Sequence, residues 1–565
     1  MSPKYYEAER LRDLRELVER GDREFGDKVV FRDLDSSGTI HDHSFRELRQ
    51  DVAALGTALL DRGLSGRHIA LIGESSYGYV ICYLAAVTSG AIVVPIDQEL
   101  TKDEMVALLN KSDSDALLFS DSLDRTVPDL LEGCPRIGLV AKMTMYRRNQ
   151  DDSLNLTDLL ESGRALLRQG DNRYEKAETD PEAMCAILFT SGTTGANKGV
   201  MLSQRNLTTV VFGAFSLYRF PSVSMSVLPI HHSYEFNLHV LGCIYGGLTL
   251  CFNDSLMHVG KNLLEFRPGM SLMVPMIVES LQKSIWREAT RGHLDKHLRY
   301  GLWYSNLIRK IGIDARRYFF KPILKNFGGN LKMIVSGAAP LNPVVAKEMS
   351  DLGITVYNGY GITECAPLIS ANCPRLNVPG SVGIPIPGIE IRIVEPDSEG
   401  NGEIQVRGDN VMLGYYNDSV ATEQTFTADG WFKTGDLGHI GRREALFVTG
   451  RKKNLIILPN GKNVQPEELE ELMCNNLDYL KEVVVHQGFN KAGGEIIVAS
   501  GYLEPDYVER VGKQSAHTQF QTDVARLNQR VVAYKHIQKV VVCDEEFQKT
   551  STRKIKRHTY PGVSQ

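Results

Sequence analysis

The sequence has little of what marks secreted, zinc-binding or membrane-spanning proteins. Its nine cysteines are scattered, with no CxxC pair and no Cys/His cluster at zinc spacing. That pattern argues against a disulfide framework and favours reduced thiols in a cytosolic compartment. The longest apolar stretch, residues 81–96, includes Thr88, Ser89 and Gly90 and is too short to span a bilayer.

An excess of charge of one sign is also missing. The formal net charge is −5, which gives no reason to expect nucleic acid as the main partner. The first 24 residues are rich in Glu and Arg and lack an apolar core, so we expect no signal peptide. Internal repeats and low-complexity tracts are lacking too. With 42% hydrophobic and 24% charged residues, the composition is that of a globular protein. Together with the cysteine pattern, these observations lead us to expect a cytoplasmic protein.

What is present predicts an α/β protein of more than one domain, because 565 residues are too many for one core. Short apolar runs, among them 68–72, 116–119 and 331–335, alternate with longer amphipathic segments from residue 29 to about 393, which predicts parallel α/β layers. After Pro385, short β-like runs between Gly and Asp turns predict a small β subdomain. The last hundred residues predict a compact C-terminal α+β domain.

The most informative segment is 189–199, with the sequence FTSGTTGANKG. An apolar strand, 184–189, leads into a loop of Thr, Ser and Gly residues, and Lys198 follows. Such a loop offers close backbone approach, hydroxyl donors and one ammonium, which suits a polyphosphate. It is not a Walker A loop, since Asn197 stands five residues after Gly192, where that motif has the glycine of its Gly-Lys-Ser/Thr end. A plain flexible linker is the alternative interpretation.

Three further motifs suit a nucleotide. Tyr360 lies between glycines and is followed by Glu364, so a ring that can stack on a base precedes a carboxylate that can hold Mg²⁺. Asp436 ends a tight turn and could accept two ribose hydroxyls. Arg451 opens a charged junction, and 549–557 forms a cationic tip. Taken singly, each has an ordinary explanation. Tyr360 is equally well explained as a core residue, Asp436 as a turn residue and 549–557 as a solvated tail.

One segment, 283–332, is strongly basic. It contains twelve Lys/Arg residues against three acids, with eight aromatic residues interleaved. Basic amphipathic helices with aromatic residues can lie on anionic membrane surfaces. An ordinary solvated helical insertion, whose aromatic residues pack on the core, explains the pattern equally well. The sequence leaves both interpretations open.

The order of these motifs resembles the adenylate-forming superfamily, which comprises acyl-CoA synthetases, luciferases and peptide-synthetase adenylation domains. The resemblance covers about residues 25–557. The matching motifs are 190–199, 228–232, 337–341, 360–364, 402–408, 434–436, 450–453 and 549–557. Within the superfamily, 232–236 and the basic segment are similar to the long-chain fatty-acid branch. Glu235 is the one residue that could imitate the amine-binding aspartate of adenylation domains.

The resemblance implies a nucleotide site shared by several motifs. The β/γ-phosphates of ATP would be held by Thr190, Ser191, Gly192, Thr193, Thr194, Gly195 and Lys198. Glu364, with Thr190, would hold Mg²⁺. Adenine would be lined by Gly337, Ala338 and Tyr360, the last as the stacking ring, and Gly361 and Thr363 belong to the same site. Asp436 and Arg451 would bind ribose.

The resemblance also implies which residues are catalytic and which residue is the hinge between two domains. Lys554 would bridge the acyl carboxylate and the α-phosphate, acting with Glu364, Lys198 and His232, and His232 would stand at the entrance of the acyl site. Lys453 would be the hinge in 451–453, between an ATP- and acyl-binding domain at 1–450 and a mobile domain at 454–565.

Three positions depart from the family pattern. Asn197 replaces proline, Gln204 replaces histidine and Arg553 replaces glycine. The last change leaves Lys549 and Lys556 as rivals to Lys554, which nevertheless keeps the family spacing to Arg557.

The implied function is an ATP-dependent ligase that converts a medium- or long-chain fatty acid into acyl-AMP and then transfers the acyl group to CoA. ATP, Mg²⁺ and CoA are the implied cofactors. Two alternatives are transfer to an acyl carrier protein and an aryl or other carboxylic acid as substrate. A non-catalytic nucleotide- or lipid-binding protein is a third. Peripheral contact with the inner face of the membrane is implied only if the basic segment binds lipid.

Overall fold

In the computed structural model, the structure describes residues 5–35, 37–145, 153–191, 197–458, 462–490, 494–549 and 555–557. These residues divide into two compact units. The large unit contains the described residues up to 191, 197–390 and 407–432. The small unit contains 391–406 and the described residues from 433 onward. The chain therefore enters the small unit at 391–406, returns to the large unit at 407–432 and belongs to the small unit again from 433 onward.

The strands are β1 (Val29–Leu34), β2 (Ile40–Ser44), β3 (His68–Ile72), β4 (Ile92–Ile96), β5 (Ala116–Phe119), β6 (Leu139–Lys142), β7 (Met184–Ser191), β8 (Asn197–Ser203), β9 (Val223–Ser226), β10 (Thr249–Phe252), β11 (Met270–Met273), β12 (Met333–Ser336), β13 (Thr355–Tyr360), β14 (Ser370–Ala371), β15 (Ile384–Pro385), β16 (Glu390–Val394), β17 (Gly402–Arg407), β18 (Gly414–Tyr415), β19 (Phe432–Ile440), β20 (Leu446–Arg451), β21 (Ile456–Ile457), β22 (Asn463–Val464), β23 (Leu480–Phe489), β24 (Glu495–Leu503) and β25 (Lys539–Cys543).

The helices are α1 (Leu14–Phe25), α2 (Phe45–Asp61), α3 (Tyr77–Thr88), α4 (Lys102–Lys111), α5 (Val127–Glu132), α6 (Leu156–Arg168), α7 (Arg173–Lys176), α8 (Gln204–Leu217), α9 (Leu241–Gly246), α10 (Val259–Phe266), α11 (Pro275–Arg291), α12 (Asp295–Arg309), α13 (Arg316–Phe319), α14 (Lys321–Lys325), α15 (Pro343–Asp351), α16 (Ser419–Thr425), α17 (Pro466–Cys474), α18 (Pro505–Val511) and α19 (Lys513–Asn528). A π-helical segment, Tyr234–Val240, precedes α9.

Two mixed sheets form the large unit. The first has the strand order β15-β14-β13-β12-β11-β9-β10-β1-β2, and the second has the order β18-β8-β7-β4-β3-β5-β6. Their central pairs are parallel, whereas β2, β14, β15, β8 and β18 are antiparallel to their neighbours. Parallel strands joined by helices are the predicted α/β architecture, and the fold class is confirmed.

Continuous apolar sequence explains the central elements. Every residue of β4 is buried between β3 and β7, and every residue of α3 is buried as well. Ser76 begins α3 by accepting a hydrogen bond from the backbone N–H of Tyr79, which satisfies one of the helix's first donors. Strands and helices that are apolar on all sides can only lie inside a layered core.

The small unit has a four-stranded sheet, β16-β17-β19-β20, and a three-stranded sheet, β23-β24-β25. Helices α17 and α19 pack on the three-stranded sheet through a buried cluster that includes Leu469, Phe520, Val485 and Ile497. The predicted small β subdomain and C-terminal α+β fold are thus both present. The proposed boundaries at 450 and 453 stay a prediction.

All nine cysteines lie in the described ranges, and none of them forms a disulfide. Seven are buried in the large unit, while Cys474 is exposed and Cys543 is half-buried in the small unit. Burial raises the pKa of the Cys82 and Cys185 thiols. Within the part of the chain that the structure describes, no helix has the length and apolar character needed to cross a bilayer.

Candidate active site

The Thr/Ser/Gly-rich loop connects the antiparallel strands β7 and β8. Residues 192–196 lie outside the described residues, and so does the side chain of Ser191. The predictions made for Ser191, Gly192, Thr193, Thr194 and Gly195 therefore fall outside the described part of the chain. The two ends of the loop are described. Thr190 on β7 is paired with Lys198 on β8. Directly opposite residues of an antiparallel pair share a face of the sheet, so the Thr190 and Lys198 side chains emerge together.

A chain of contacts runs from Lys198 to Glu364. The Lys198 Nζ lies 4.5 Å from the centre of the Tyr415 ring, and the Tyr415 hydroxyl donates to Glu364 Oε1 at 3.0 Å. Burial and the Glu364 carboxylate both raise the pKa of Tyr415, so its phenol stays protonated and remains a donor. The structure therefore brings together a cation and a carboxylate that the sequence separates widely.

Backbone contacts hold Glu364 in this place. It lies in a short 3₁₀ turn, Thr363–Cys365, and its carbonyl accepts a hydrogen bond from Met412 N–H at 2.8 Å. The Thr363 hydroxyl lies 3.5 Å from the Ser233 hydroxyl. The predicted residues Thr363 and Glu364 are thus fixed by the segments that carry His232 and Tyr415.

Gly361 makes the close approach that this turn requires. A Cβ at Gly361 would lie 1.5 Å from the Pro367 carbonyl oxygen, which is backbone and has no room to move. We expect Gly361→Ala to lower the free energy of unfolding of the large unit by about 3 kcal/mol. Its matched control is Gly359→Ala, where the nearest atom to the new Cβ is 3.7 Å away. Denaturant titration compares the two variants, and equal stabilities would contradict the expectation.

The proposed adenine residues lie at the ends of two adjacent parallel strands, β12 and β13. Gly337 and Ala338 follow β12, and Ala338 has a φ of 70°, in the left-handed region. Tyr360 is the last residue of β13 and is buried. Ligands of α/β sheets bind beyond the carboxyl ends of the strands, and these residues meet that condition.

Tyr234 packs beneath this edge. A Cβ at Gly337 would lie 3.0 Å from the Tyr234 ring, and the Tyr234 hydroxyl donates to the Val335 carbonyl at 3.0 Å. The backbone N–H of Tyr234 donates to His232 Nδ1 at 3.2 Å. In neutral His232 the ring proton is therefore on Nε2.

The preceding histidine has a different environment. The His231 side chain is 13% exposed, and its Nε2 lies 3.6 Å from Asp97 Oδ2. Burial lowers the pKa of His231. His232 stays the residue predicted for the acyl entrance.

The small unit contains the two residues predicted to bind ribose. Asp436 on β19 and Arg451 on β20 are cross-strand partners, and Arg451 Nε lies 2.8 Å from Asp436 Oδ1. Asp436 is buried, and its backbone N–H donates to the Thr434 hydroxyl at 3.0 Å. The structure therefore pairs these two residues directly. Lys453 follows in a short 3₁₀ turn, Lys452–Asn454.

Lys554 lies outside the described residues, but the chain on both sides of it is described. Lys549 and Ile555 form an isolated β-bridge, and the Lys556 N–H donates to the Gln548 carbonyl at 2.7 Å. Lys549 forms ion pairs with Glu482 and Glu546. Arg557 forms an ion pair with Glu470 on α17.

Sequence reasoning missed Tyr415 and Tyr234. Tyr415 lies in the two-residue strand β18, and no motif marks it; only its pairing with Val200 on β8 brings it to Lys198. Tyr234 stands inside the 232–236 segment that the sequence singled out, but nothing in that segment indicates its contact with Gly337. Among the described residues there is no group of three or more His, Cys, Asp or Glu side chains that could hold a metal ion.

Comparison with known proteins agrees with this geometry. The AMP-binding enzyme family matches residues 18–416, and the AMP-binding enzyme C-terminal domain matches residues 453–560. A family match that covers most of the chain places the protein in a class of nucleotide-using enzymes. The chain belongs to the AMP-binding enzyme family.

Curated relatives carry more specific names. Long-chain-fatty-acid–CoA ligase 6 of Mus musculus is 26% identical over 505 residues, covering 84% of this chain and 72% of the relative. Long-chain-fatty-acid–CoA ligase FadD15 of Mycobacterium bovis is 27% identical over 481 residues, covering 80% of this chain and 77% of the relative.

Solved structures share the fold. An ATP-bound RpMatB–BxBclM chimera has a TM-score of 0.77 at 23% identity and covers 97% of this chain and 98% of its own. The anthranilate CoA ligase AuaEII, in complex with anthranoyl-AMP, has a TM-score of 0.76 at 19% identity and covers 99% and 97%. Both agree with the predicted fold class.

Proposed function

We propose that this AMP-binding enzyme is an acid–thiol ligase that activates a medium- or long-chain fatty acid with ATP and passes the acyl group to CoA. The contact chain Lys198–Tyr415–Glu364, at the base of the Thr/Ser/Gly-rich loop, carries the proposal. It holds an ammonium and a carboxylate beside a loop of hydroxyls and glycines. The ammonium is the group that a triphosphate needs, and the carboxylate is the group that its accompanying Mg²⁺ needs.

In the first step, a carboxylate oxygen of the acid forms a bond to the α-phosphorus of ATP. The bond from that phosphorus to the bridging oxygen breaks, and pyrophosphate leaves. Negative charge grows on the phosphoryl oxygens and on the departing pyrophosphate. Lys198 would stabilise the phosphates, and Lys554 would bridge the carboxylate and the α-phosphate. The product is an acyl-AMP with a good leaving group.

The residues of the large unit fit a magnesium ion that arrives with the nucleotide. Glu364 offers a carboxylate oriented by Tyr415, and Thr190 offers a hydroxyl at the start of the loop. Mg²⁺ typically takes one or two protein carboxylates and completes its shell with substrate phosphates and water. When bound, it supplies charge neutralisation on the phosphates. Glu364 would hold it, with Thr190 beside it.

In the second step, the CoA sulfur attacks the acyl carbonyl carbon. The carbon–oxygen bond to AMP breaks, AMP leaves, and the thiol proton is released. Lys554 would have to withdraw, because the thiol approaches the same carbonyl. Rotation of the 454–565 domain about Lys453 would allow one cleft to host both steps.

Lys554 is favoured over its neighbour Lys549 as the catalytic lysine. The Lys549 ammonium is half-buried between Glu482 and Glu546, and their charges and hydrogen bonds raise its pKa despite the opposing effect of burial. A lysine held in two ion pairs supports the protein rather than a substrate. Lys554 also keeps the family spacing to Arg557.

Ribose would be bound by Asp436, with Arg451 holding that carboxylate in position. His232, whose Nδ1 accepts from the backbone, would direct its Nε2–H toward the acyl entrance. Gly337, Ala338, Tyr360, Gly361 and Thr363 would line the adenine side.

A fatty acid is proposed because the named relatives act on long-chain fatty acids, and because 232–236 resembles that branch. An aryl or other carboxylic acid is the alternative substrate, and an acyl carrier protein is the alternative acceptor. A non-catalytic protein is less favoured, since Lys198, Glu364 and Asp436 are all present.

We also propose a cytoplasmic enzyme that contacts the inner face of a membrane peripherally through 283–332. The exposed aromatic side chains of α12 support this contact.

A screen of purified protein tests the proposal. Mg²⁺, ATP and a panel of fatty, aryl and amino acids are supplied, and acid-dependent pyrophosphate release is measured. We expect release with fatty acids, followed by a thioester when CoA is present. Matched reactions omit CoA and add a phosphopantetheinylated carrier protein. A thioester on the carrier alone would favour the alternative acceptor, and failure of every acid to yield an adenylate would refute the proposal.

A further inference from the structure

Arg557, in the cationic tip 549–557, is held by two elements of the small unit. Its guanidinium forms an ion pair with Glu470 on α17, and its Nη1 donates to the Val485 carbonyl on β23 at 3.3 Å. Glu470 Oε1 in turn accepts a hydrogen bond from the Val485 backbone N–H at 2.6 Å. These three residues therefore form a closed set of contacts that joins the tip to a helix and to a strand.

These contacts are largely shielded from water. The Arg557 and Glu470 side chains are 23% and 14% exposed, and Val485 is buried. A hydrogen bond between charged groups is stronger where water is excluded, so this pair contributes more than an ion pair at the surface. Loss of one partner would leave the other charge buried without compensation. The pair is thus a fixed attachment of the tip.

The attachment lies close along the chain to the predicted catalytic lysine. Arg557 follows Lys554 by three residues, and three residues of fully extended chain span about 11 Å at most. Ile555, which directly follows Lys554, is bridged to Lys549. The Arg557 backbone N–H donates to the Ile555 carbonyl at 3.1 Å. The place available to the Lys554 backbone is therefore limited by where Arg557 is held.

Helix α17 also contacts the segment of the proposed hinge. Its Glu467 accepts a hydrogen bond from Asn454 Nδ2 at 2.6 Å, and Asn454 directly follows Lys453. Burial, and then the charges of Arg451 and Arg557, lower the pKa of Lys453 to about 8. The helix that anchors the lysine segment is thus attached to the residue after the hinge as well.

We propose that Arg557 is a positioning residue for the adenylation step: anchored by Glu470, it holds the segment of Lys554 where that lysine can reach the acyl carboxylate and the α-phosphate. This inference rests on the proposed ligase function and adds a residue to it. Arg557 would act through Lys554 alone, without contact to the reacting atoms. Misplacement of a catalytic group by about 1 Å can cost about a hundredfold in rate, which sets the size of the expected effect.

The test follows both half-reactions in Arg557→Met, which removes the charge and keeps a long side chain. We expect the kcat of acid-dependent pyrophosphate release to fall by about a hundredfold. The KM for ATP should stay within about threefold, because the proposed triphosphate-binding residues are unchanged. Thioester formation from supplied acyl-AMP should stay within about twofold, since Lys554 is proposed to withdraw before that step. Arg557→Lys keeps the charge opposite Glu470 and should recover about tenfold of the lost rate.

Lys535→Met is the matched control. Lys535 pairs with Glu468 at 2.7 Å, also on α17, and its side chain is 10% exposed. Its removal should likewise lower the stability of the small unit, but pyrophosphate release should change by no more than about twofold. Equal slowing in Lys535→Met and Arg557→Met would show a general effect of weakening the small unit and would contradict the proposal.

A double variant separates positioning from stability. Arg557→Met alone leaves Glu470 as a buried charge without its partner. Arg557→Met/Glu470→Gln removes that charge and keeps an acceptor for the Val485 N–H. We expect the double variant to regain much of the stability to denaturant that Arg557→Met loses, while its pyrophosphate release stays slow because the segment stays unanchored. A rate that recovers together with stability would show that Arg557 has only a structural role.

Hydrogen exchange gives a readout that needs no turnover. The backbone N–H groups of Lys556 and Arg557 both donate to carbonyls within 548–557. In Arg557→Met, exchange in a peptide that covers this range should speed up by about tenfold, whereas Lys535→Met should leave it unchanged. Unchanged exchange, or unchanged pyrophosphate release, in Arg557→Met would overturn the proposal. Absence of release from the unaltered protein with every acid would instead refute the ligase function, and the catalytic role of Arg557 with it.

Discussion

Lys554→Ala is expected to slow acid-dependent pyrophosphate release by about 10³-fold, the upper end of what one electrostatic contact to a transition state contributes. The proposed role explains the size of the effect, because negative charge on the α-phosphate and the incoming carboxylate would lose its bridging ammonium. The second half-reaction should stay within about twofold, since Lys554 is proposed to withdraw before CoA attacks. Pyrophosphate release measures the first step, and thioester formation from supplied acyl-AMP measures the second.

Lys549→Ala is the matched control for this prediction. Lys549 is five residues away and already pairs with Glu482 and Glu546, so its removal should lower stability more than it slows the chemistry. Normal pyrophosphate release by Lys554→Ala would show that the lysine assignment is wrong. Loss of both half-reactions would instead indicate damage to the small unit.

Glu364→Gln is the second change with a large expected effect. It removes the charge proposed to hold Mg²⁺, and pyrophosphate release should fall by about 10²- to 10³-fold. The Mg²⁺ concentration needed for half-maximal rate should rise as well. A titration of rate against Mg²⁺ checks both expectations. A lower rate with an unchanged Mg²⁺ requirement would contradict the metal role.

Tyr415→Phe removes the hydrogen bond that orients the Glu364 carboxylate. The variant keeps the ring face that contacts Lys198 and loses only the hydroxyl that donates to Glu364. We expect about a tenfold fall in rate, because a hydrogen bond to a charged group contributes about 1.5–3 kcal/mol and Glu364 itself remains. If Tyr415→Phe were as damaging as Glu364→Gln, the hydroxyl rather than the carboxylate would be the essential group.

The central strands were predictable from the sequence because burial on both faces demands uninterrupted apolar residues. Strands β3 and β5 have the predicted bounds, 68–72 and 116–119. The run 331–335 was less well predicted, since β12 begins only at Met333. The Leu331 carbonyl accepts from the Arg317 guanidinium, which a pattern of hydrophobicity does not reveal.

The site was predictable only where a motif carries it. Thr190, Lys198, Tyr360 and Glu364 come from recognisable segments, and the structure describes all four. Tyr415, by contrast, is 51 residues from Glu364, and it reaches Glu364 because β18 pairs with β8 at the edge of a sheet. Contacts made through tertiary pairing of a two-residue strand leave no periodic signal in the sequence.

The contacts of charged side chains were equally hard to predict from the sequence. Arg316 and Arg317 stand in a basic run and look like surface cations, yet they donate to backbone carbonyls. The sequence could not decide between a solvated insertion and a membrane surface, because both have the same composition. The orientation of α12 decides which residues are available to a partner.

The distribution of buried and exposed thiols should allow the small unit to be labelled selectively. A maleimide reacts with an accessible thiolate, and the seven cysteines of the large unit are buried. Cys474 is the exposed one, so a fluorophore or spin label should attach there first, with no prior mutagenesis. Such a reporter would test the proposed reorientation of the C-terminal segment during turnover in the otherwise unaltered enzyme.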